Sequence, residues 1–178
     1  MNKSRHGNSR GLNSGENLVR LGLGYDIHRF SPGRKLILGG VTVPGNEGLL
    51  GHSDADVLLH AICDALLGAA ALGDIGKHFP DTDRRYKGIS SLKLLGLVGK
   101  MLGSKKFAPV NIDATVILEH PKIAPFKDQM QRRIAKTLKI RPDQVSVKAT
   151  TNEGLGALGN REGCAALAIA AIRSLRKH

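Results

Sequence analysis

The stretch GHSDADVLLHAICDALLGAAALGDIGKHFPDTD, residues 51–83, decides the fold, because it predicts a helix with polar chemistry at its start, along one face and beyond its end. Asp56, His60 and Asp64 are four residues apart and therefore share one helix face. Carboxylates with an imidazole, and no lysine, are typical of a metal site rather than of a solvated face. The apolar residues at helical spacing are Val57, Leu58, Ala61, Ile62, Ala65, Leu66 and Ala69.

The start of this helix has a structural interpretation as well. Ser53 fits the N-cap position, and Asp56 three residues later completes a capping-box pattern. Asp56 can therefore be explained by capping alone. His60, in the second turn among leucine and alanine, is not explained by capping and favours the metal interpretation.

Length and composition predict one soluble domain with an aliphatic core. The chain has 178 residues with 22 glycines and no tryptophan. Cys63 and Cys164 lie in apolar patterns without paired metal spacing, so we expect buried thiols and no disulfide. No apolar run is long enough to span a bilayer, and the N-terminus lacks the apolar core of a secretory signal. We expect a bacterial cytoplasm first and a plastid second.

The charge is +12 but unevenly distributed. Residues 26–83 hold eight of the 15 acids and four of the 27 Lys and Arg. The nineteen Lys and Arg after Asp83 lack the aromatic interleaving and the modules of nucleic-acid binding. A nucleic-acid-binding module is therefore a weak alternative, and we expect no nucleic-acid or membrane partner. The basic surface suits attraction of a phosphorylated small molecule.

The order of predicted elements gives the fold class. Residues 1–17 are polar and basic and predict a disordered extension, and 18–178 form a single domain. The expected elements are a strand at 18–27 with a hairpin partner at 34–44, helices at 57–69, 90–102, 123–139 and 162–175, and strands at 110–119 and 144–151.

Strands interleaved with helices predict an α+β fold, a single mixed sheet with helices packed on one face. The other face of such a sheet is bare. Because that face carries aliphatic side chains, we expect it to be covered by oligomerisation, sheet against sheet.

Three residues form the predicted metal site. Asp26 and His28 are two apart in a strand and point to the same side, and His60 supplies the third ligand from the helix. One carboxylate and two imidazoles leave a fourth tetrahedral position open, as catalytic zinc sites do. Asp56 and Asp64, one turn either side of His60, are expected to orient it. The alternative is that both histidines are simply packed.

Two further groups of polar residues flank this site. His52 and Ser53 precede the helix, where backbone N–H groups favour an anion such as phosphate. Asp74, Asp81 and Asp83 lie in a loop punctuated by Gly and Pro, which is either a solvated turn or an oxygen-rich substrate site.

The later strands end in a third group. Lys122 lies between two prolines, where a rigid loop can present a cation to a nucleotide. Thr150, Thr151 and Glu153 offer hydroxyl donors for phosphate and a carboxylate for Mg²⁺, or they form an ordinary surface turn.

The segments GYDIHRF, residues 51–83, HPKI and KATTNEGLG together resemble the 2-C-methyl-D-erythritol 2,4-cyclodiphosphate synthase family. The resemblance runs from about Arg20 to the C-terminus. It implies a metal-dependent lyase of the non-mevalonate (MEP) pathway of isoprene biosynthesis, which closes a cyclic diphosphate and releases CMP. It also implies a homotrimer whose sheets face a threefold axis, with active sites between subunits.

The resemblance assigns roles to individual positions. Zinc, or another divalent transition metal, would bind Asp26, His28 and His60, and Glu153 would bind Mg²⁺ or Mn²⁺. His52 and Thr151 correspond to the stabilisers of the transition state. Substrate binding falls on Ser53, Asp74, Ile75, Gly76, Phe79, Pro80, Asp81, Thr82 and Asp83. Nucleotide binding falls on Leu118, Pro121, Lys122, Ile123, Ala124, Ala149, Thr150 and Thr151.

One position departs from the family pattern. The family carries an arginine where this chain has Asn160, and here the arginine follows as Arg161. Arg161 is expected to contact phosphate only if the loop rotates. A metal-dependent phosphohydrolase, with water in the open metal position, is the enzymatic alternative, and its uncyclised product distinguishes it.

Overall fold

The computed structural model describes residues 19–175, so the predicted extension at 1–17 lies outside the described part of the chain. The strands are β1 (Val19–Pro32), β2 (Leu36–Leu38), β3 (Val41–Val43), β4 (Glu47–Leu49), β5 (Phe107–Ile117), β6 (Val145–Thr150) and β7 (Gly163–Ser174). The helices are α1 (Val57–Ala69), α2 (Ile75–His78), α3 (Ser91–Ser104), α4 (Lys127–Leu138) and α5 (Gly156–Gly159).

The main sheet has five strands in the order β4-β1-β7-β5-β6. The β5–β6 pair is parallel and the other pairs are antiparallel, so the sheet is mixed and the predicted α+β class is confirmed. The helices predicted near 57–69, 90–102 and 123–139 correspond to α1, α3 and α4. The core lies between these helices and one face of the sheet.

The opposite face of the sheet is apolar and open. Leu21 and Leu23 on β1 are 69% and 66% exposed, and Ile169 on β7 is 50% exposed. Their neighbours in sequence face the helices and are buried or partly buried, as the two-residue period of a strand requires. The described chain therefore has a sheet face that nothing within it covers.

Helix α1 lies unusually close to β1 because two strand positions have no side chain. A Cβ atom on Gly24 would overlap the Ala61 carbonyl oxygen and lie 2.7 Å from the Ala65 nitrogen. A Cβ on Gly22 would overlap the Ala65 carbonyl oxygen and lie 2.5 Å from the Ala69 nitrogen. This contact brings His60 of α1 next to Asp26, which lies in the middle of β1.

The expected closing helix at 162–175 was wrong. The segment forms β7, the central strand, which pairs with β1 from Val19↔Arg173 to Arg29↔Gly163. A segment this rich in alanine is typical of a helix. In β7, however, buried alanines alternate with larger residues on the outward face, at the two-residue period of a strand. Small side chains face inward because α1 packs directly on this strand. The inward set is Cys164, Ala166, Ala168, Ala170 and Ile172.

The hairpin partner expected at 34–44 was also wrong. Strands β2 and β3 pair with each other, Leu36↔Val43, as a separate two-stranded sheet. The turn between them uses Gly39 and Gly40 at φ +58° and +73°, a conformation that favours glycine. The strand beside β1 is instead β4.

The cap of α1 differs from the predicted one. Asp56, not Ser53, is the N-cap, and its Oδ1 accepts a hydrogen bond of 3.1 Å from the Leu59 nitrogen. The same carboxylate accepts from the Gly39 and Gly40 nitrogens at 2.9 and 2.6 Å. Burial raises the pKa of Asp56 to about 7, against the effect of these three N–H donors. Asp56 thus joins α1 to the β2–β3 turn.

We expect the Asp56→Ala variant to lose about 3 kcal/mol of unfolding free energy, because three buried N–H groups would lose their acceptor. Urea denaturation measures this loss. Asp128→Ala removes an exposed acid from the first turn of α4 and is expected to cost less than about 1 kcal/mol. Equal losses in the two variants would contradict the role given to Asp56.

Two other expectations concern the thiols and the membrane. Cys63 and Cys164 are both buried and free, as predicted. Among the helices of residues 19–175, none combines the length and the hydropathy that crossing a membrane requires.

Candidate metal site and flanking cavities

The structure brings together the three residues that the spacing selected as metal ligands. Asp26 and His28 come from β1 and His60 from α1. The Asp26 Oδ2 atom lies 2.9 Å from His28 Nε2 and 2.9 Å from His60 Nδ1. The two nitrogens are 3.3 Å apart. One ligand atom from each residue therefore faces a common point.

These distances suit a divalent ion. Ligand atoms about 2.0–2.1 Å from a tetrahedral ion lie about 3.3 Å from one another. The observed separations of 2.9 to 3.3 Å are near that value. The His28 and His60 rings meet edge to face, which directs a nitrogen of each toward the carboxylate without stacking the rings.

A backbone carbonyl fixes the orientation of His28. Its Nδ1 atom lies 2.7 Å from the Leu50 oxygen, which can only accept, so Nδ1 carries a proton. In the neutral ring the lone pair is then on Nε2, the atom that faces Asp26. A metal ligand requires this arrangement.

The electrostatics of the three groups are coupled. Burial opposes the ionised form of Asp26, but hydrogen bonds and charge from His28 and His60 outweigh it and hold the pKa of Asp26 well below its usual value. Burial likewise opposes a charged His28, yet the Asp26 carboxylate raises the pKa of His28 overall. The site thus keeps Asp26 ionised, as a carboxylate ligand of a cation must be.

The expected orientation of His60 by Asp56 and Asp64 was wrong. Asp56 caps α1, as described above. Asp64 Oδ1 accepts from the Ile75 nitrogen at 2.7 Å and thereby fixes the start of α2. The four-residue spacing suggested that these carboxylates reach His60, but both accept from backbone N–H groups instead.

Serine hydroxyls contact His60 instead. His60 Nε2 lies 3.1 Å from Ser53 Oγ and 3.0 Å from Ser91 Oγ. Ser91 in turn donates its hydroxyl proton to Asp54 Oδ1. Sequence reasoning missed Ser91 and Asp54, because Ser91 begins a different helix and lies 37 residues after Asp54.

A cavity of about 320 Å³ opens beside the metal site. It contains five of the residues expected to bind substrate or phosphate, together with Tyr86, Ile89 and Leu94, which sequence reasoning missed. The expected residues in it are His52, Ser53, Ile75, Phe79 and Asp81.

The remaining residues of the expected substrate loop do not line this cavity. Asp74 caps α2 by accepting from the Lys77 nitrogen at 2.8 Å, and Asp83 forms an exposed ion pair with Arg85. Gly76 lies in α2, Pro80 and Thr82 follow that helix, and none of the three lines the cavity.

A second cavity of about 330 Å³ contains every residue predicted to bind the nucleotide. Its lining is Leu118, Glu119, Pro121, Lys122, Ile123, Ala124, Ala149, Thr150, Thr151 and Glu153. Glu119 was missed. Its Oε1 accepts from the Asn152 nitrogen at 2.7 Å and so holds the loop that follows β6. Thr151 Oγ1 donates to Glu153 Oε1 at 2.7 Å.

Arg161 lies apart from both cavities. It lines a separate cavity of about 450 Å³ with Phe30, Glu47 and His120, and its φ is +63°. The position expected for a phosphate contact is thus outside the metal-site cavity of this chain.

Comparison with known proteins identifies the family of the chain. A family model described as the YgbB family matches residues 19–173, nearly all of the described chain. The chain belongs to the YgbB family. The relative from Alkaliphilus metalliredigens is 62% identical over 154 residues, which cover 86% of this chain and 97% of the relative, and is named 2-C-methyl-D-erythritol 2,4-cyclodiphosphate synthase. A relative of the same name from Chlorobaculum tepidum is 60% identical over 88% of this chain and 99% of its own.

Solved structures agree with this membership. A CDP complex of a protein from Plasmodium falciparum superimposes with a TM-score of 0.78 at 32% identity, over 91% of this chain and 100% of that one. A bifunctional protein from Campylobacter jejuni gives a TM-score of 0.86 at 42% identity, and the match covers 89% of this YgbB-family chain but 43% of the larger protein. The resemblance found in the sequence is confirmed.

Proposed function

We propose that the chain converts 4-diphosphocytidyl-2-C-methyl-D-erythritol 2-phosphate to 2-C-methyl-D-erythritol 2,4-cyclodiphosphate and releases CMP. Family membership supports the reaction, since relatives at about 60% identity carry the synthase name over nearly their whole length. The observation that carries the proposal is the Asp26, His28 and His60 group, which opens onto a cavity lined by His52 and Ser53.

Zinc, or a similar divalent metal, would be held by Asp26, His28 and His60, whose donor set and spacing fit such an ion. When bound, it supplies charge neutralisation and polarisation at a phosphate. The substrate's 2-phosphate oxygen is already an anion when it attacks the β-phosphorus. The chain therefore has no need of a strong general base, and it must instead hold two phosphates in line against their repulsion.

His52 and Thr151 are assigned to stabilise the charge that develops during transfer. His52 is exposed at the cavity beside the metal site, where its ring can donate to a phosphate oxygen. Thr151 is exposed at the nucleotide cavity and gives its proton to Glu153 in the described structure. Binding of a cation at Glu153 would free that proton for phosphate.

Glu153 would hold Mg²⁺ or Mn²⁺ together with the substrate's diphosphate. A single carboxylate plus phosphate oxygens is the usual way in which proteins bind Mg²⁺ with nucleotides. Glu153 has an exposed side chain beside Thr150 and Thr151. The exposed position leaves room for the remaining water ligands of such an ion.

The active form would be a homotrimer in which three sheets face a threefold axis. The open sheet face supports this proposal. Leu21, Leu23 and Ile169 are half to two-thirds exposed, and Leu23 and Ile169 are paired across neighbouring strands, so they form one apolar surface. The nucleotide cavity of one chain would then complete the metal-site cavity of the next. The partner is thus a further copy of the chain, and the ligand a phosphorylated small molecule.

The place of action would be a bacterial cytoplasm, in keeping with the bacterial relatives. Phosphorus NMR of the purified protein with the substrate and Mg²⁺ tests the reaction. We expect CMP and a cyclic diphosphate to appear together, and to vanish after zinc chelation. An open-chain phosphate ester beside CMP would make the chain a phosphohydrolase, and CMP release unaffected by chelation would remove the metal from the proposal.

A further inference from the structure

The metal-facing ring of His60 is the end of a hydrogen-bonded chain that starts at Asp54. Both Asp54 carboxylate oxygens accept from the Ser91 nitrogen, at 3.1 and 3.0 Å, and Oδ1 also accepts from the Ser91 hydroxyl. Ser91 Oγ lies 3.0 Å from His60 Nε2. Ser91 is fully buried, so water does not compete for these contacts.

The direction of the protons along this chain is determined by the donor inventory. A carboxylate only accepts, so the one hydroxyl proton of Ser91 is given to Asp54. Toward His60 the Ser91 oxygen can then only accept. His60 Nε2 therefore carries a proton, which leaves Nδ1, the atom 2.9 Å from Asp26, as the nitrogen that can offer its lone pair to a metal ion.

We propose that Asp54 and Ser91 are positioning residues that hold His60 in the tautomer with its Nδ1 lone pair directed at the metal. The inference rests on the metal site of the proposed function. It adds the residues that orient His60 before an ion binds. It mirrors the bond from His28 Nδ1 to the Leu50 carbonyl, which fixes the other histidine.

Ser53 also contacts His60 but cannot fix the tautomer. Its oxygen accepts from the Ala55 nitrogen at 3.1 Å, and its proton is not committed to any carboxylate. Ser53 could therefore serve either tautomer, whereas Ser91 serves one. With His60 Nε2 as a donor, the Ser53 hydroxyl proton is left to point into the cavity, where a phosphate oxygen can accept it.

The Ser91→Ala variant isolates the hydroxyl, because the Ser91 nitrogen keeps its bonds to Asp54. We expect zinc affinity, measured by competition with a chromogenic chelator, to fall about 10- to 100-fold. The control is Ser104→Ala, at the end of the same helix, where the hydroxyl contacts only the Met101 carbonyl. That variant should bind zinc as the unaltered protein does.

The Asp54→Asn variant tests the direction of the protons without changing side-chain size. An asparagine amide can donate to Ser91 Oγ, which would allow the serine proton to turn to His60 Nε2 and transfer the ring proton to Nδ1. Nitrogen NMR of the histidine rings in metal-free protein reads the tautomer directly. We expect His60 Nε2 to carry a proton in the unaltered protein and to carry it in a smaller fraction of molecules in both Asp54→Asn and Ser91→Ala.

The outcomes separate this inference from the proposed function. If the unaltered protein binds zinc and Ser91→Ala binds it equally well, or if His60 Nε2 carries no proton in the unaltered protein, the role of Asp54 and Ser91 is overturned while the metal site stands. If the unaltered protein binds no divalent metal, the proposed function fails, and the NMR tautomer still decides whether Asp54 and Ser91 fix the ring.

Discussion

The His60→Ala variant is expected to lose cyclisation by about 10³-fold or more. A bound divalent ion contributes several kcal/mol of charge stabilisation, and each 1.4 kcal/mol is a factor of ten in rate. Asp26 and His28 alone would leave two ligands on one strand with nothing opposite them. CMP release under saturating substrate and Mg²⁺ measures the rate, and elemental analysis measures the zinc.

The activity lost in His60→Ala should come from the missing metal ligand and not from unfolding. His60 lies at the edge of the core with its ring toward the site, so circular dichroism and the melting temperature of His60→Ala should be close to those of the unaltered protein. A folded His60→Ala variant that retained both full activity and metal-dependent turnover would contradict the assignment of His60 as a ligand.

The Gly24→Ala variant is expected to lose about 4 kcal/mol of stability or more, the second large effect. The added Cβ would overlap the carbonyl oxygen of Ala61, a backbone atom of α1 that no rotamer change can move. Relief requires α1 to shift from β1, which also separates His60 from Asp26. Urea denaturation and zinc affinity should therefore both change.

Gly103→Ala is the matched control, since Gly103 is in helix α3 and a Cβ there would meet no atom within 4 Å. Alanine is a better helix former than glycine, so its stability should be unchanged or higher by up to about 1 kcal/mol. If Gly24→Ala were as stable as Gly103→Ala, the close packing of α1 on β1 would not be what holds the site together.

The clustering of Asp26, His28 and His60 could be predicted because short-range periods determine it. Asp26 and His28 are two apart in a strand, and His60 is in a helix whose apolar period is clear over three turns. The helix predicted at 162–175 was wrong because local propensity was its only support. Its alanines have high helix propensity, and only the distant packing of α1 explains why a central strand carries such small side chains.

The residues around His60 could not be predicted from spacing. Asp56 and Asp64 had the helical interval, yet the backbone N–H groups of the β2–β3 turn and of α2 bind their carboxylates. Asp54 and Ser91 come together only because α3 begins beside the loop that precedes α1. Tyr86, Ile89 and Leu94 reach the cavity for the same tertiary reason.

The residues of the second cavity were selected by a different route. Spacing alone gave only a weak signal at Lys122 and slightly favoured an ordinary surface turn for Thr150 and Thr151, and the family resemblance selected all three. The structure then placed them in one cavity, because β5 and β6 are parallel neighbours and their carboxyl ends meet at the same edge. The parallel pairing of β5 and β6 therefore forms this cavity, and the sequence indicated that pairing only through the order of the elements.

The central claim is that an oxygen of the substrate's own 2-phosphate attacks the β-phosphorus. Mass spectrometry of the product formed in water enriched in oxygen-18 tests it most directly. The account predicts a product without solvent oxygen and lighter by one water than the hydrolysed ester. A product that carries one oxygen-18 on its former β-phosphate would mean that water is the nucleophile, and the chain would then be a hydrolase built on the same metal site.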